Sequence, residues 1–262
     1  MTETTLPTED FIPEIGGVPM DFNMVLFGPP KSGKTTFGAS WPRSILLECE
    51  AGGAKYIKCR KIDINSLVQL REVFGLLKDN NEYETIVIDS LDRVAQWIED
   101  EICQELDLKN IMDAKKGERH GAQWGFYAQR VLGFLEAWKS LGKRNIFLAH
   151  TKKAETDGNG MVISPKTINL YGQAANRVLA IVDNIGYLYA VENEKGEIIR
   201  YLSFRAGLQV EAGSRHPALT DKKIELPKVG SYEAFAALFN VPENGAVDTK
   251  KAKKQLALAK GE

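Results

Sequence analysis

The run Gly28-Pro29-Pro30-Lys31-Ser32-Gly33-Lys34-Thr35 matches G-x-x-x-x-G-K-[ST], once in the chain. An apolar stretch, Met24–Phe27, precedes it and a helix-forming stretch, Lys34–Ser40, follows. Strand, loop and helix in that order make a phosphate cradle. The glycines let main-chain N–H groups turn inward around phosphates, and the helix start adds a positive dipole end. Lys34 supplies a point charge to the outer phosphates, the Thr35 hydroxyl suits a Mg²⁺ ion, and Thr36 continues the binding turn. A second site follows in Glu84-Thr85-Ile86-Val87-Ile88-Asp89-Ser90, an apolar strand ending in a carboxylate. Asp89 there would hold the Mg²⁺ beside Thr35. Asp89 or Ser90 would also serve as the cap of the next helix.

A catalytic base is sought where another strand ends. Ser44–Leu47 runs into Glu48-Cys49-Glu50-Ala51-Gly52-Gly53. Ligands of parallel sheets sit at the carboxyl ends of the strands, so Glu50 is the candidate to polarise an attacking water. Asn145–Ala149 is a further strand, and His150 ends it.

These residues need a scaffold, and the chain alternates. Strands are expected at Met24–Phe27, Ser44–Leu47, Cys59–Ile64, Thr85–Ile88 and Asn145–Ala149. Helices are expected at Lys34–Ser40, Ser66–Lys78, Leu91–Leu106, Gln123–Leu141, Gly172–Val182 and Ser231–Asn240. In Leu91–Leu106, for example, Leu91, Val94, Ala95, Ile98, Ile102 and Leu106 recur at helical spacing. Tyr187–Val191 and Ile198–Phe204 flank Asn193-Glu194-Lys195-Gly196 as a hairpin. The expected fold is α/β, a mainly parallel sheet flanked by helices with an antiparallel hairpin at one edge. Residues 22–240 form one domain. Residues 1–21, with five acids and no base, read as an acidic flexible leader, and 241–262 as a lysine-rich tail.

Composition narrows the classes. The chain has 262 residues, 34 Lys+Arg against 35 Asp+Glu, so any nucleic-acid contact must be a local patch. Such a patch exists: residues 109–153 hold ten bases and three acids. The three cysteines, Cys49, Cys59 and Cys103, form no C-x-x-C pair, which fits a reducing compartment. No apolar run reaches the ~18 residues of a membrane span, and the first residues lack a signal-peptide pattern. A cytoplasmic protein without membrane contact is expected.

The phosphate loop, the LLECEAGG strand end, the TIVIDS strand and Ala149-His150-Thr151 together resemble the RecA-like P-loop ATPases, and most closely the phage Sak4-type nucleotide-binding proteins. The likeness spans roughly residues 22–240 and implies Mg-dependent ATP hydrolysis on single-stranded DNA during phage recombination, annealing or replication. It implies that Glu50, rather than Glu48, activates water, and that His150 senses the outermost phosphate; a structural His at a strand end is the plainer alternative. Such proteins insert a basic finger from a neighbouring subunit of a ring or filament. Gly213-Ser214-Arg215 is the candidate, with Gly213 where the family often has Lys, so Arg215 acts alone or Arg205 substitutes. A solvated surface arginine is the alternative. The same likeness implies that Lys115, Lys116, Arg119, Lys152 and Lys153 contact DNA phosphates, with a solvated basic face as the alternative, and a single-strand-binding protein is a candidate partner. Trp124 and Tyr127 could stack on bases, but their helical spacing favours a core role.

Other P-loop classes fit less well. A nucleoside monophosphate kinase would need D-G-[FY]-P-R and an arginine-rich lid, and residues 109–123 hold one Arg. A GTPase would need N-K-x-D, which Thr151-Lys152-Lys153-Ala154 does not supply. A nucleotide switch or helicase-loader-like module stays open.

Overall fold

Asn23–Gly28 is buried along its whole length, as a strand covered on both faces must be. It is the first element, β1, of a computed structural model that describes residues 17–113, 122–156, 159 and 161–240. After it come α1 (Lys34–Ala39), β2 (Ser44–Glu48), β3 (Lys61–Asp63), α2 (Leu67–Lys78), β4 (Thr85–Asp89), α3 (Leu91–Glu105) and α4 (Ala122–Lys139). Next are β5 (Arg144–Lys152), β6 (Glu155–Thr156), β7 (Val162–Ser164), β8 (Thr167–Ile168) and α5 (Gly172–Ile181). The last are β9 (Asn184–Glu192), β10 (Ile198–Ser203), β11 (Gly213–Ser214), β12 (Lys223–Leu226) and α6 (Ser231–Ala236), followed by a 3-10 turn at Ala237–Asn240.

The main sheet runs β12-β10-β9-β1-β5-β4-β2-β3. From β3 to β9 the neighbours are parallel. β10 and β12 are antiparallel and form one edge. The expected hairpin is therefore present, but its first strand, β9, belongs to the parallel part. The short strand β11 adds to β9, and β8 adds to the end of β5.

Alternation along each strand divides the core in two. Val25, Phe27, Leu47, Ile86 and Ile88 face one side with α2, α3, α4 and α5. Met24, Leu26, Leu46, Val87 and Leu148 face the other, where Phe37 of α1 and Phe235 of α6 cover them. Tyr127 lies in the first of these layers, a core aromatic as its spacing suggests; Trp124 is half-buried beside it. The expected leader boundary at residue 21 falls inside the packed structure: Val18 is buried, and its carbonyl accepts from the Arg144 guanidinium at 2.9 Å.

Candidate nucleotide site

β5 lies between β1 and β4, so the strand that feeds the phosphate loop and the strand that ends in Asp89 are not neighbours. His150 on β5 is level with Gly28, Asp89 is level with Leu148, and Glu48 is level with Asp89. The C-terminal ends of four parallel strands thus bring Gly28, Glu50, Asp89 and His150 to one edge of the sheet, the usual place for a ligand in such folds.

The phosphate loop depends on two glycines. A Cβ on Gly28 would lie 2.0 Å from the Leu188 carbonyl oxygen on β9, so no side chain fits there. Gly33 has φ of 103°, in the left-handed region that favours glycine, and α1 starts directly after it. Lys34 is buried, and its ammonium donates to the carbonyls of Gly28 at 2.9 Å and Pro29 at 3.1 Å. Burial lowers its pKa, while Asp89, Asp92 and Glu50 act against that shift. The Ser32 hydroxyl is buried with no partner among the described residues. An ammonium held by its own loop and an orphaned hydroxyl are groups that phosphate oxygens would satisfy.

Asp89 and Thr35 meet: the Thr35 hydroxyl donates to Asp89 Oδ2 at 2.7 Å. Burial pushes the Asp89 carboxyl up, and the Thr35 bond opposes this. Among the described residues no group of three or more His, Cys, Asp or Glu side chains forms a metal cage. A Mg²⁺ ion here would be held by Thr35, Asp89 and phosphate oxygens, which suits an ion that keeps several non-protein ligands. The ion would supply charge neutralisation for the outer phosphates. The capping role falls to Ser90, whose Oγ accepts the Arg93 N–H at 3.4 Å, leaving the Asp89 side chain to Thr35.

Ser90 does more than cap. Its hydroxyl also donates to Glu50 Oε1 and so holds the proposed base over the end of β4. Glu50 Oε1 lies 3.8 Å from His150 Nδ1. Glu48 is only 3% exposed, accepts the Ala54 N–H at 2.8 Å, and pairs with Lys61. One of its oxygens holds the loop that follows β2 and the other holds Lys61 of β3. Of the two glutamates, Glu50 is the one that stands beside Ser90 and His150.

Asp92 is a member of the site that sequence reading misses. From the first turn of α3 its Oδ2 accepts the His150 main-chain N–H at 2.8 Å and stands 3.5 Å from His150 Nδ1. That carboxylate raises the His150 pKa above its ordinary 6.5, against a smaller opposing effect of burial. Asp92 Oδ1 is buried without a partner among the described residues. The three-residue step from Asp89 was the available signal, but it has meaning only once β5 is known to lie against β4.

The other candidates fall elsewhere. Arg215 follows β11, which pairs with the first residues of β9, level with the start of β1 and away from the phosphate loop. Its guanidinium pairs with Asp183 at 3.0 Å and donates to the Ala180 carbonyl. Arg205 donates to the Asp221 carbonyl at 2.9 Å. Neither arginine reaches the phosphate loop of its own chain through these bonds. Lys152 and Lys153 are exposed at the end of β5, with Lys152 3.5 Å from Glu155. Lys115, Lys116 and Arg119 lie outside the described residues.

Comparison with known proteins agrees with this geometry. A family model described as an AAA domain matches residues 20–216, well over half of the chain. The SPbeta prophage-derived uncharacterized protein YorG of Bacillus subtilis (strain 168) is 26% identical over 167 residues, 62% of this chain. The match covers 47% of that relative, so the chain spans about half the length of the curated protein it matches. No helix among the described residues is long and apolar enough to cross a membrane.

Proposed function

The chain belongs to the AAA domain family of P-loop ATPases, and from that premise we propose that it is a RecA-like, Sak4-type phage protein that hydrolyses ATP with Mg²⁺ on single-stranded DNA. The observation that carries the reading is the single strand β5, which joins the two halves of the task. At one point it bears His150, between Glu50 and Asp92; two residues later it bears Lys152 in solvent. β8 pairs with Thr151 and Lys152 and stiffens that end of the strand.

In this reading Ser32, Gly33, Lys34, Thr35 and Thr36 hold the phosphates, and Thr35 with Asp89 holds the metal. Glu50, steadied by Ser90, orients the attacking water. His150 contacts the outermost phosphate and reports its loss along β5 to Lys152 and Lys153. Those lysines, with Lys115, Lys116 and Arg119, neutralise DNA phosphates by counterion release. Arg215, far from its own phosphate loop, acts on a neighbouring copy in a ring or filament. The prophage origin of the matched relative supports a role in phage recombination, annealing or replication, in the cytoplasm and alongside a single-strand-binding protein.

The test is ATP turnover by the pure protein with Mg²⁺, with and without a single-stranded oligonucleotide. Turnover stimulated by DNA is expected. Turnover indifferent to DNA would leave a nucleotide switch or loader-like module, and transfer of phosphate to a small molecule would make it a kinase.

A further inference from the structure

β10 sends its side chains to two faces of the sheet. Leu202 packs in the layer of α1, and Arg200 points the same way, its Cδ and Nε both 3.2 Å from where a Gly33 Cβ would be. Tyr201 takes the opposite face, level with Tyr189 of β9. There the rings form a row. Tyr187 stacks on Tyr189 with centroids 5.2 Å apart, and Tyr189 is 5.8 Å from Tyr201. The row starts in the core, where Tyr187 is 5.1 Å from Phe27, and it opens outward: Tyr187 is 9% exposed, Tyr189 and Tyr201 are half-buried, and Val191 beyond them is 42% exposed. Two ammonium groups lie over these rings. Lys223 Nζ, from β12, is 3.9 Å from the Tyr201 centroid and 5.8 Å from that of Tyr189. Lys166 Nζ is 6.0 Å from the Tyr187 centroid. Neither lysine makes an ion pair among the described residues. Within the three strands the face carries one acid, Glu225, level with Tyr201.

Resting on the DNA reading above, we propose that this row of tyrosines is a stacking platform for the bases of a single-stranded nucleic acid, separate from the loop that carries Lys152 and Lys153. Aromatic faces beside cations are what such strands bind, because every base has a π-face and every linkage a charge. The Lys223 ammonium sits on the electron-rich face of Tyr201, at about the height a stacked base would take. A base that enters there displaces the ammonium, and the exposed lysine is then free to meet the neighbouring phosphate. The centre of a protein–protein interface is depleted of charge, whereas here two cations lie on the rings themselves. The platform is also continuous with the end of β5. Lys166 precedes Thr167, which pairs with Lys152. Its main chain is fixed on the other side: its N–H donates to the Gln209 carbonyl at 2.8 Å, and its carbonyl accepts the Glu211 N–H at 2.9 Å. A strand that leaves Lys152 therefore meets Lys166 and then the tyrosines.

Fluorescence anisotropy of the full chain with Mg²⁺ and ATP tests the assignment, using labelled oligothymidylate and, separately, a strand of equal length built of abasic sites. Wild type should bind oligothymidylate about tenfold tighter or more, since each stacked base is worth a factor of that order. The double change of Tyr189→Leu and Tyr201→Leu keeps apolar bulk without the flat rings. It should weaken oligothymidylate by roughly 5- to 30-fold, and leave the abasic strand, the salt slope and the ATP turnover without DNA unchanged. Tyr201→Phe keeps the ring and should bind both strands as wild type does. Lys223→Ala should instead lower the salt slope by about 0.7 for both strands. Unchanged affinity for oligothymidylate in the double variant would overturn the platform, as would equal weakening of the two strands. Wild type that binds both strands equally would keep the phosphate contacts and overturn the platform alone, with no variant needed. Wild type that binds neither strand would overturn the DNA reading and this assignment with it.

Discussion

Asp92 separates two roles that a carboxylate can play, and substitution tells them apart. Its Oδ2 accepts the His150 main-chain N–H at 2.8 Å and faces the imidazole Nδ1 at 3.5 Å. Asp92→Ala removes both and leaves a backbone donor at the end of β5 without its acceptor. A buried group left unpaired costs about 1–3 kcal/mol. At ~2–4 °C per kcal/mol for a chain of this size, the melting temperature should fall by roughly 2–12 °C. Asp92→Asn keeps an oxygen for the N–H but not the charge. Charge-assisted bonds are about twice as strong as neutral ones, so about half that loss is expected.

The two variants differ more sharply with pH. The carboxylate raises the pKa of His150 in the folded protein. The stability this adds is complete below the ordinary histidine value of 6.5 and is lost as pH rises through the folded value. The melting temperatures of wild type and Asp92→Asn should therefore be furthest apart in mildly acidic buffer and converge as the solution becomes alkaline. Hydrolysis that needs the imidazolium should decline at lower pH in Asp92→Asn than in wild type. Scanning calorimetry and steady-state turnover over about pH 5 to 8 read both effects. A gap between the two proteins that stays constant or widens with pH would refute the argument, because it would mean that Asp92 acts on the backbone alone.

Three further outcomes follow from the same geometry. Lys34→Ala removes the ammonium at the loop, so ATP turnover should fall to background with an unchanged circular dichroism spectrum; undiminished turnover would remove the phosphate-loop assignment. Glu50→Gln keeps the oxygen that accepts from Ser90 but not the base, so nucleotide affinity measured by calorimetry should persist while hydrolysis falls on the order of 10²–10⁴-fold. Equal rates in the two proteins would take the role of base away from Glu50. The double change of Lys152 and Lys153 to Ala should weaken single-strand binding, lower the salt slope by about 0.7 per lost phosphate contact, and spare basal turnover. Fluorescence anisotropy across several salt concentrations is the measurement, and an unchanged slope would detach this loop from DNA.

What was legible in the sequence was local. β1 and β4 show as apolar runs because strands buried on both faces have no polar side to alternate with. α3 shows as a periodic stripe because one face lies on the core. The phosphate loop shows because its glycines and its lysine must be adjacent to one another in the chain. β6, β7, β8 and β11 do not show: each has two or three residues, and pairing with distant segments makes them strands. Asp92 is hidden for the same reason, since its partner is 58 residues away. The arginines show the difference best. Arg205 and Arg215 attract notice by their place late in the chain, yet their guanidinium groups donate to the carbonyls of Asp221 and Ala180. Arg200 is one polar residue in an alternating strand, and its position at Gly33 depends on sheet order.

That order has a consequence for how the site is assembled. β9 runs parallel to β1, with Tyr187 level with Phe27, and continues to Glu192, past the point where β1 gives way to the phosphate loop. β10 then returns antiparallel along this overhang, with Arg200 level with Ala190. A residue opposite Ala190 stands beyond the end of β1, at the height of the loop rather than of the strand. Side chains alternate across a strand, so Arg200 and Leu202 share a face, and Leu202 packs in the layer that holds Phe37. The face is therefore the one that α1 occupies. A shorter β9 would return β10 too low to reach Gly33, and a one-residue slip in the pairing would turn Arg200 to the opposite face of the sheet. The length of β9 and the register of the hairpin thus place this cation as firmly as the loop motif places Lys34.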